Sequence, residues 1–186
     1  SGSNALQINS DTQITGSLLV NTLSDATGSY FVTTDSTGLL SRSVITNLFG
    51  SGQFIQTGTL TASAGVSGSV TYSIANNLNA VTLADTSKIT VTKGGVYNIQ
   101  FSVQFDCSSG ADTGYVWFKK NGSNMSDSAS KVQMNNNTSQ IMTVNILDTA
   151  SAGDYYEVVW QNDGGHAQLL GESATGNIPG IPSVIT

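Results

Sequence analysis

From Gly94 to Cys107 the chain reads GGVYNIQFSVQFDC, and after the glycine pair its residues alternate. Tyr97, Ile99, Phe101, Val103 and Phe105 fall on one side; Val96, Asn98, Gln100, Ser102 and Gln104 fall on the other. Successive side chains of a strand point to opposite faces, so a period of two held this long builds one strand with one face in a core and a mainly amide-rich face outward. A chain organised round such a strand is an all-β sandwich.

Composition agrees with that reading. Only 10% of the 186 residues are charged, and Ser, Thr, Gly and Asn take the surface roles that Lys and Glu fill in helical proteins. A net charge of −6 with a single adjacent basic pair, Lys119-Lys120, excludes a nucleic-acid surface, which needs clustered basic residues. No run approaches the roughly 18 apolar residues that span a bilayer, and none has the layout of a cleavable signal, so no membrane insertion is expected. Cys107 is the only cysteine. It forms no disulfide within the chain, and its place at the end of an apolar strand marks it as a buried structural thiol rather than a reactive one.

The texture changes near residue 50. Before it, apolar residues come singly or in twos and threes (Leu6, Ile8, Ile14, Leu18 to Val20, Leu23, Tyr30 to Val32, Leu39-Leu40, Val44-Ile45), each group followed by Ser, Thr, Asp or Gly. Strands this short, in a segment of about 50 residues, hold too little apolar area to fold alone without disulfides, metals or partners. With no cysteine or metal-ligand cluster there, association remains, in which identical chains wrap around a common axis and bury these residues against one another. Residues 1–50 therefore read as an intertwined trimeric β-shaft, continuous with upstream fibre segments. A disordered linker is the alternative, against which stand the repeated apolar groups and the turn-like Asp25-Ala26-Thr27-Gly28 and Asp35-Ser36-Thr37-Gly38.

Residues 51–186 carry longer strands with aromatics. Strands are predicted at Phe54 to Leu60, Val70/Tyr72/Ile74, Ala80 to Leu83, Ile89/Val91, the long strand above, Tyr115 to Lys120, Ser130 to Met134, Gln140 to Leu147, Tyr156/Val158/Trp160 and Pro182 to Ile185. About ten strands at regular spacing, separated by turn signals and without helical periodicity, make a sandwich or jelly roll. Gly50-Ser51-Gly52 reads as a hinge between shaft and head.

No catalytic constellation stands out. His166 is the only histidine, with no cysteine near it to make a zinc cluster. The scattered Asp106, Asp112, Asp127, Asp154 and Asp163 sit mostly where turn aspartates satisfy backbone donors, not as a pair suited to glycoside hydrolysis. The chain is therefore expected to be no enzyme and to hold no metal or cofactor. The Asn-x-Ser/Thr triplets at Asn121, Asn124, Asn136 and Asn137 are what an Asn- and Ser-rich chain generates by chance.

Three segments carry a family resemblance. Gly95, Tyr97 and Phe101 in GVYNIQFSV, then VWFKKNG with Asn121-Gly122, then TVNILDTASAGDYYEVVW with Gly153-Asp154, resemble in order and spacing the jelly rolls of the complement q-subcomponent and tumour necrosis factor. The ending Pro179-Gly180-Ile181-Pro182-Ser183-Val184-Ile185-Thr186 is more similar to the tips of bacteriophage tail fibres and of phage-derived bacterial adhesive fibres. In those proteins phrases similar to Val32 to Leu40 precede the head. The resemblance implies a ten-stranded TNF-like jelly roll, a homotrimer with the head at the distal end, receptor binding, and a place in a virion tail fibre or an extracellular or cell-envelope fibre. Physics supports the trimer independently, since a head that aligns three chains lets the shaft zip up; its interface is expected to be apolar and aromatic with a polar rim.

If both ends of the head lie at the shaft side, strand parity puts the connections 162–180, 135–139 and 107–113 at the far tip. These loops and their flanks supply the candidate ligand contacts: Asp112, Asn135, Asn136, Asn137, Asn162, Asp163, His166 and Gln168 for sugar hydroxyls, with Tyr115 and Trp160 as stacking faces if exposed. The function expected is multivalent, non-covalent recognition of a cell-surface receptor, a glycan before a protein. Two alternatives stand beside it: a structural domain that nucleates and caps trimerisation without a ligand, and a glycan depolymerase.

Overall fold

The computed structural model describes residues 50–186 and, ahead of them, the backbone of two strands, β1 (Tyr30–Thr34) and β2 (Leu40–Val44). The shaft expected over residues 1–50 thus falls almost wholly outside the described residues. The chain divides into two compact units, Ser1–Thr46 and Asn47–Thr186. In the first, β1 and β2 pair antiparallel, with Tyr30 opposite Val44 and Thr34 opposite Leu40.

The second unit contains fourteen strands. In order they are β3 (Ser51–Gln56), β4 (Leu60–Thr61), β5 (Gly68–Ser69), β6 (Ile74–Asn79), β7 (Val81–Ala84), β8 (Lys88–Val91), β9 (Gly95–Cys107), β10 (Asp112–Lys120), β11 (Ser123–Asn124), β12 (Ser130–Met134), β13 (Thr138–Ala150), β14 (Tyr155–Asn162), β15 (Ala167–Leu169) and β16 (Val184–Ile185). All described pairings are antiparallel, and no helix occurs among the described residues.

The strands form two sheets. One runs β6-β3-β16-β9, with β13 along the full length of β9 and β15 and β4 beside its far half. The other runs β7-β8-β14-β10, with β12 and β11 beyond β10 and β5 against β14. Gly95 to Cys107 lies opposite Ala150 to Thr138 without a break, so the alternation that opened the sequence becomes the longest ladder.

Inward residues of the two sheets make one core. Phe101, Val103 and Phe105 of β9 face Val116 and Phe118 of β10 and Tyr156, Val158 and Trp160 of β14, all 2% exposed or less. The rings of Phe101 and Phe118 lie 4.8 Å apart, and Phe105 meets Trp160 edge-on at 6.3 Å. Burying each such side chain is worth about 1.5–3 kcal/mol. Gly114 lies within β10 where a Cβ would sit 2.5 Å from the Phe105 ring, so the close packing there needs glycine. Cys107 is fully buried, and its Sγ donates to the Gly110 carbonyl.

Three segments differ from the expected strands. Val70 to Ser73 is a crossing between sheets: Val70 and Tyr72 donate to Val158 and Thr86, and Ser73 donates to Ile55 of the opposite sheet. The run Phe54 to Leu60 breaks after Gln56, and its end joins β15 as β4. Of the expected hinge Gly50-Ser51-Gly52, Ser51 and Gly52 lie in β3, and a Cβ on Gly52 would lie 2.6 Å from Val81.

The head has two distinct ends. Gly50 sits beside the Tyr97 ring, and Thr186 exchanges both backbone hydrogen bonds with Phe54, so β3 begins, and β16 points, toward the Gly95 end of β9. The Cys107 end, ten residues on from Tyr97, lies about 30 Å away.

Candidate functional site

Three connections meet at the Cys107 end: residues 108–111 between β9 and β10, 135–137 between β12 and β13, and 163–166 between β14 and β15. Register brings them together, because Thr138 and Ala167 both lie opposite Cys107 and Met134 lies opposite Asp112. Backbone bonds tie them further, from Asn137 N to Cys107 O at 2.7 Å and from Asp163 N to Thr113 O at 3.1 Å.

Asp112 is the centre of this assembly. Its Oδ1 accepts from the backbone N–H groups of Thr113 and Gly164, both at 2.7 Å, and its Oδ2 from those of His166 and Ala167, at 2.8 and 2.9 Å. Burial pushes its pKa up, but the N–H groups of Gly164, Ala167, His166 and Thr113 outweigh that and hold the carboxyl below the ordinary aspartate range. A carboxylate occupied in this way shapes loops. It has little capacity left for a sugar hydroxyl.

Asn162 does similar work behind it: its Nδ2 donates to the carbonyls of Ala62 and Ala167, and its Oδ1 accepts from Gly165 N. Gly165 can close this turn because its φ is +76°.

A polar concavity of about 540 Å³ opens between the three connections, lined by Ala111, Asp112, Thr113, Gln133, Met134, Asn135, Asp163 and Gly164. Asp163 is exposed, and its Oδ2 accepts from the half-exposed Tyr115 hydroxyl at 3.0 Å. That hydrogen bond, with partial burial and nearby charge, raises the Tyr115 pKa, so the phenol stays neutral. The mouth thus offers two primary amides, from Gln133 and Asn135, and the Asp163 carboxylate, groups that pair with hydroxyl-rich ligands.

The remaining candidates separate. Asn136 and Asn137 are exposed beside the mouth, Asn137 in the left-handed region with φ +57°. His166 is exposed on the neighbouring loop, its Nδ1 3.2 Å from Ser109 Oγ. Gln168 lies on the outer sheet face, where its Nε2 donates to Asp106 Oδ2 at 3.1 Å, and it does not line the concavity. Trp160 is a correction: it is 2% exposed against Phe105, so it presents no face for stacking. Asn135, expected at the tip, lines the mouth, and so does Gln133, which the sequence reading did not single out. Asn135 stood in a loop already assigned to the tip, whereas Gln133, inside a predicted strand, is aimed by its pairing opposite Thr113. No group of three or more His, Cys, Asp or Glu able to hold a metal occurs among the described residues.

No protein-family model and no curated protein matches the chain. Among solved structures it is similar to the Eiger TNF from S. frugiperda, at 13% identity and a TM-score of 0.47, over 72% of this chain and 87% of that one. The described residues themselves are all-β, built of antiparallel sheets.

Proposed function

We propose that the chain is the receptor-binding tip of a trimeric fibre, carried on a virion tail or a cell envelope, and that the concavity at the Cys107 end takes a cell-surface glycan. The observation that carries this reading is the rigid meeting of three connections around Asp112, at the end of the sandwich opposite Gly50, with Gln133, Asn135 and Asp163 round an open mouth. Preformed amide and carboxylate groups suit hydroxyl-rich ligands, and three copies on one particle make a weak site effective without new contacts. Trimerisation draws support from Val96, Ile141 and Leu147, which lie on the outer face of β9 and β13 at 71%, 71% and 72% exposure. Such aliphatic side chains on a sheet face mark an association surface. The aromatic interface expected from the sequence is not what supports it: Tyr72 and Tyr156 belong to the core.

The same exposed face favours a second reading, in which the head serves to assemble and cap the fibre and binds nothing. Sedimentation of the full chain tests the trimer, and a folded monomer at micromolar concentration removes both readings. A bacterial glycan array tests the ligand. Binding lost on Gln133→Ala with Asn135→Ala supports recognition at the mouth, whereas a silent array leaves the structural role. Oligosaccharides released from capsule or lipopolysaccharide, read by mass spectrometry, would instead make the tip a depolymerase.

A further inference from the structure

β10 carries an alternation of its own. Asp112, Gly114, Val116 and Phe118 are buried, so Thr113, Tyr115 and Trp117 form a row on the outer face of the second sheet, each half-exposed. Thr113 lines the concavity at the Cys107 end. From Thr113 to Trp117 the row runs about 13 Å along the strand, longer than a single sugar ring.

Both rings of the row are pinned by their one polar atom. The Tyr115 hydroxyl donates to Asp163 Oδ2 at 3.0 Å, and Trp117 Nε1–H donates to Asn124 Oδ1 at 2.9 Å. Apart from those atoms each side chain is carbon, so the surface it offers is chiefly ring. Gln133 lies opposite Thr113, and Lys131 and Gln161 flank Tyr115, which puts amides beside the rings. Toward the other end Lys119 pairs opposite Glu157, and the Tyr155 ring has Lys88 Nζ over it at 5.3 Å, so the open row stops at Trp117.

This face differs from the outer face of β9 and β13. None of the exposed large aliphatic side chains among the described residues belongs to β10, β12 or β14, whereas Val96, Ile141 and Leu147 all project from the other sheet. A protein partner needs a broad apolar centre, which two spaced rings among amides do not supply. A pyranose matches them: its C–H face rests on a ring while its edge hydroxyls reach the amides. Rings already pinned lose little freedom when it binds.

We propose that Tyr115 and Trp117 are successive stacking subsites for an extended oligosaccharide whose end sits in the concavity. The inference rests on the glycan reading above and narrows it from a single terminal sugar to a chain of several.

The test places the full chain on an array of cello-, chito-, malto-, galacto- and manno-oligosaccharide ladders of one to six units, together with bacterial O-polysaccharides. Affinity should climb with chain length. Trp117→Ala should weaken the longer members about tenfold and leave the one- and two-unit members unchanged. Trp117→Phe, which keeps a flat ring, should retain most of the affinity, and Trp117→Leu, apolar but not flat, should lose it. The chain has two tryptophans, and Trp160 is 2% exposed, so acrylamide quenching of fluorescence reads Trp117. A bound six-unit member should abolish most of that quenching. Binding independent of chain length and of Trp117 overturns the stacking row while the glycan reading stands; a silent array overturns both. Equal retention by Phe and Leu would show apolar contact without stacking. A Trp117 already shielded from acrylamide in the free chain would show that a segment of this chain or a second copy lies on the row. Either of these results also overturns the proposal.

Discussion

At the tip, Asp112 receives four backbone N–H groups and no cation. At the opposite end, Asp148 and Asp154 gather on the Lys120 ammonium, at 2.8 and 3.3 Å, while the Tyr156 hydroxyl donates to Asp148 Oδ2 at 2.6 Å. Both ends are closed by aspartates, through different physics. Backbone N–H groups are fixed neutral donors that carry no charge to screen, and these four tie the 163–166 connection to the start of β10. The Lys120 cluster rests on opposite charges that remain partly in contact with solvent, which salt weakens. The Cys107 end is therefore held by the chemistry less sensitive to salt, and the Gly95 end by the more sensitive kind.

The largest expected effect lies between the two ends and tests the correction to Trp160. Trp160→Ala should cost about 3–5 kcal/mol in urea unfolding, the loss typical of a buried aromatic that leaves a cavity. A variant near wild-type stability would return Trp160 to the surface and with it the stacking role.

Next comes Asp112. Asp112→Ala strands four N–H groups and should cost about 3 kcal/mol, since each buried donor left unmade is expensive. Asp112→Asn should rescue little of this. An amide oxygen replaces only one carboxylate oxygen, and the NH2 group then faces two N–H donors, either those of Thr113 and Gly164 or those of His166 and Ala167. Full rescue by Asn would mean that charge-free shape alone holds the loops, and the contrast with the base would fail.

Lys120→Met should cost about 1 kcal/mol or less at low salt and close to nothing at 1 M NaCl, because the pair is solvated. The titration signs differ too. The Lys120 hydrogen bond leads the causes that hold the Asp148 pKa below its ordinary value, and Asp112 is lowered as well. Each contributes stability that is complete above the ordinary aspartate range and is lost as pH falls through its lowered value. Lys120 is shifted the other way, chiefly by its hydrogen bond to Asp148, so its contribution is complete below the ordinary lysine range and is lost as pH rises through the raised value. At the Cys107 end the alkaline counterparts are Tyr115, raised chiefly by its hydrogen bond to Asp163, and Cys107, raised chiefly by burial. Thermal melts from pH 2 to 11 should therefore show an acid limb for wild type and Lys120→Met alike, with the alkaline limb reduced in the variant.

Several of these features were legible in the sequence because their signals are local. The alternation of β9 is a property of consecutive residues, and Asn121-Gly122 takes the two positive φ values, 51° and 79°, that such a turn needs. Strand parity alone sent the connections 107–113, 135–139 and the start of 162–180 to one end. The unread parts depend on contacts distant in sequence. Trp160 alternates with Tyr156 and Val158 as a core residue should, but Val159 between them is also buried, so period two cannot by itself tell the covered face from the open one. Asp112 looked like a turn residue, and its role comes from amides more than fifty positions away. Gln133 reads as a strand residue until β12 is laid against β10.

The smallest expected change in stability is the sharpest for function. Gln133→Ala combined with Asn135→Ala removes two side chains from the rim of the concavity while the frame set by Asp112 stays, so urea unfolding should move by no more than about 0.5 kcal/mol. Glycan binding on the array should nevertheless disappear, because these amides are donors and acceptors that the frame only holds in place. If binding survives in the double variant and is abolished by Asp112→Ala, the ligand reads the shape of the loops and not the amides. The tip would then differ from the base in how it is held together, with the concavity carrying no recognition of its own.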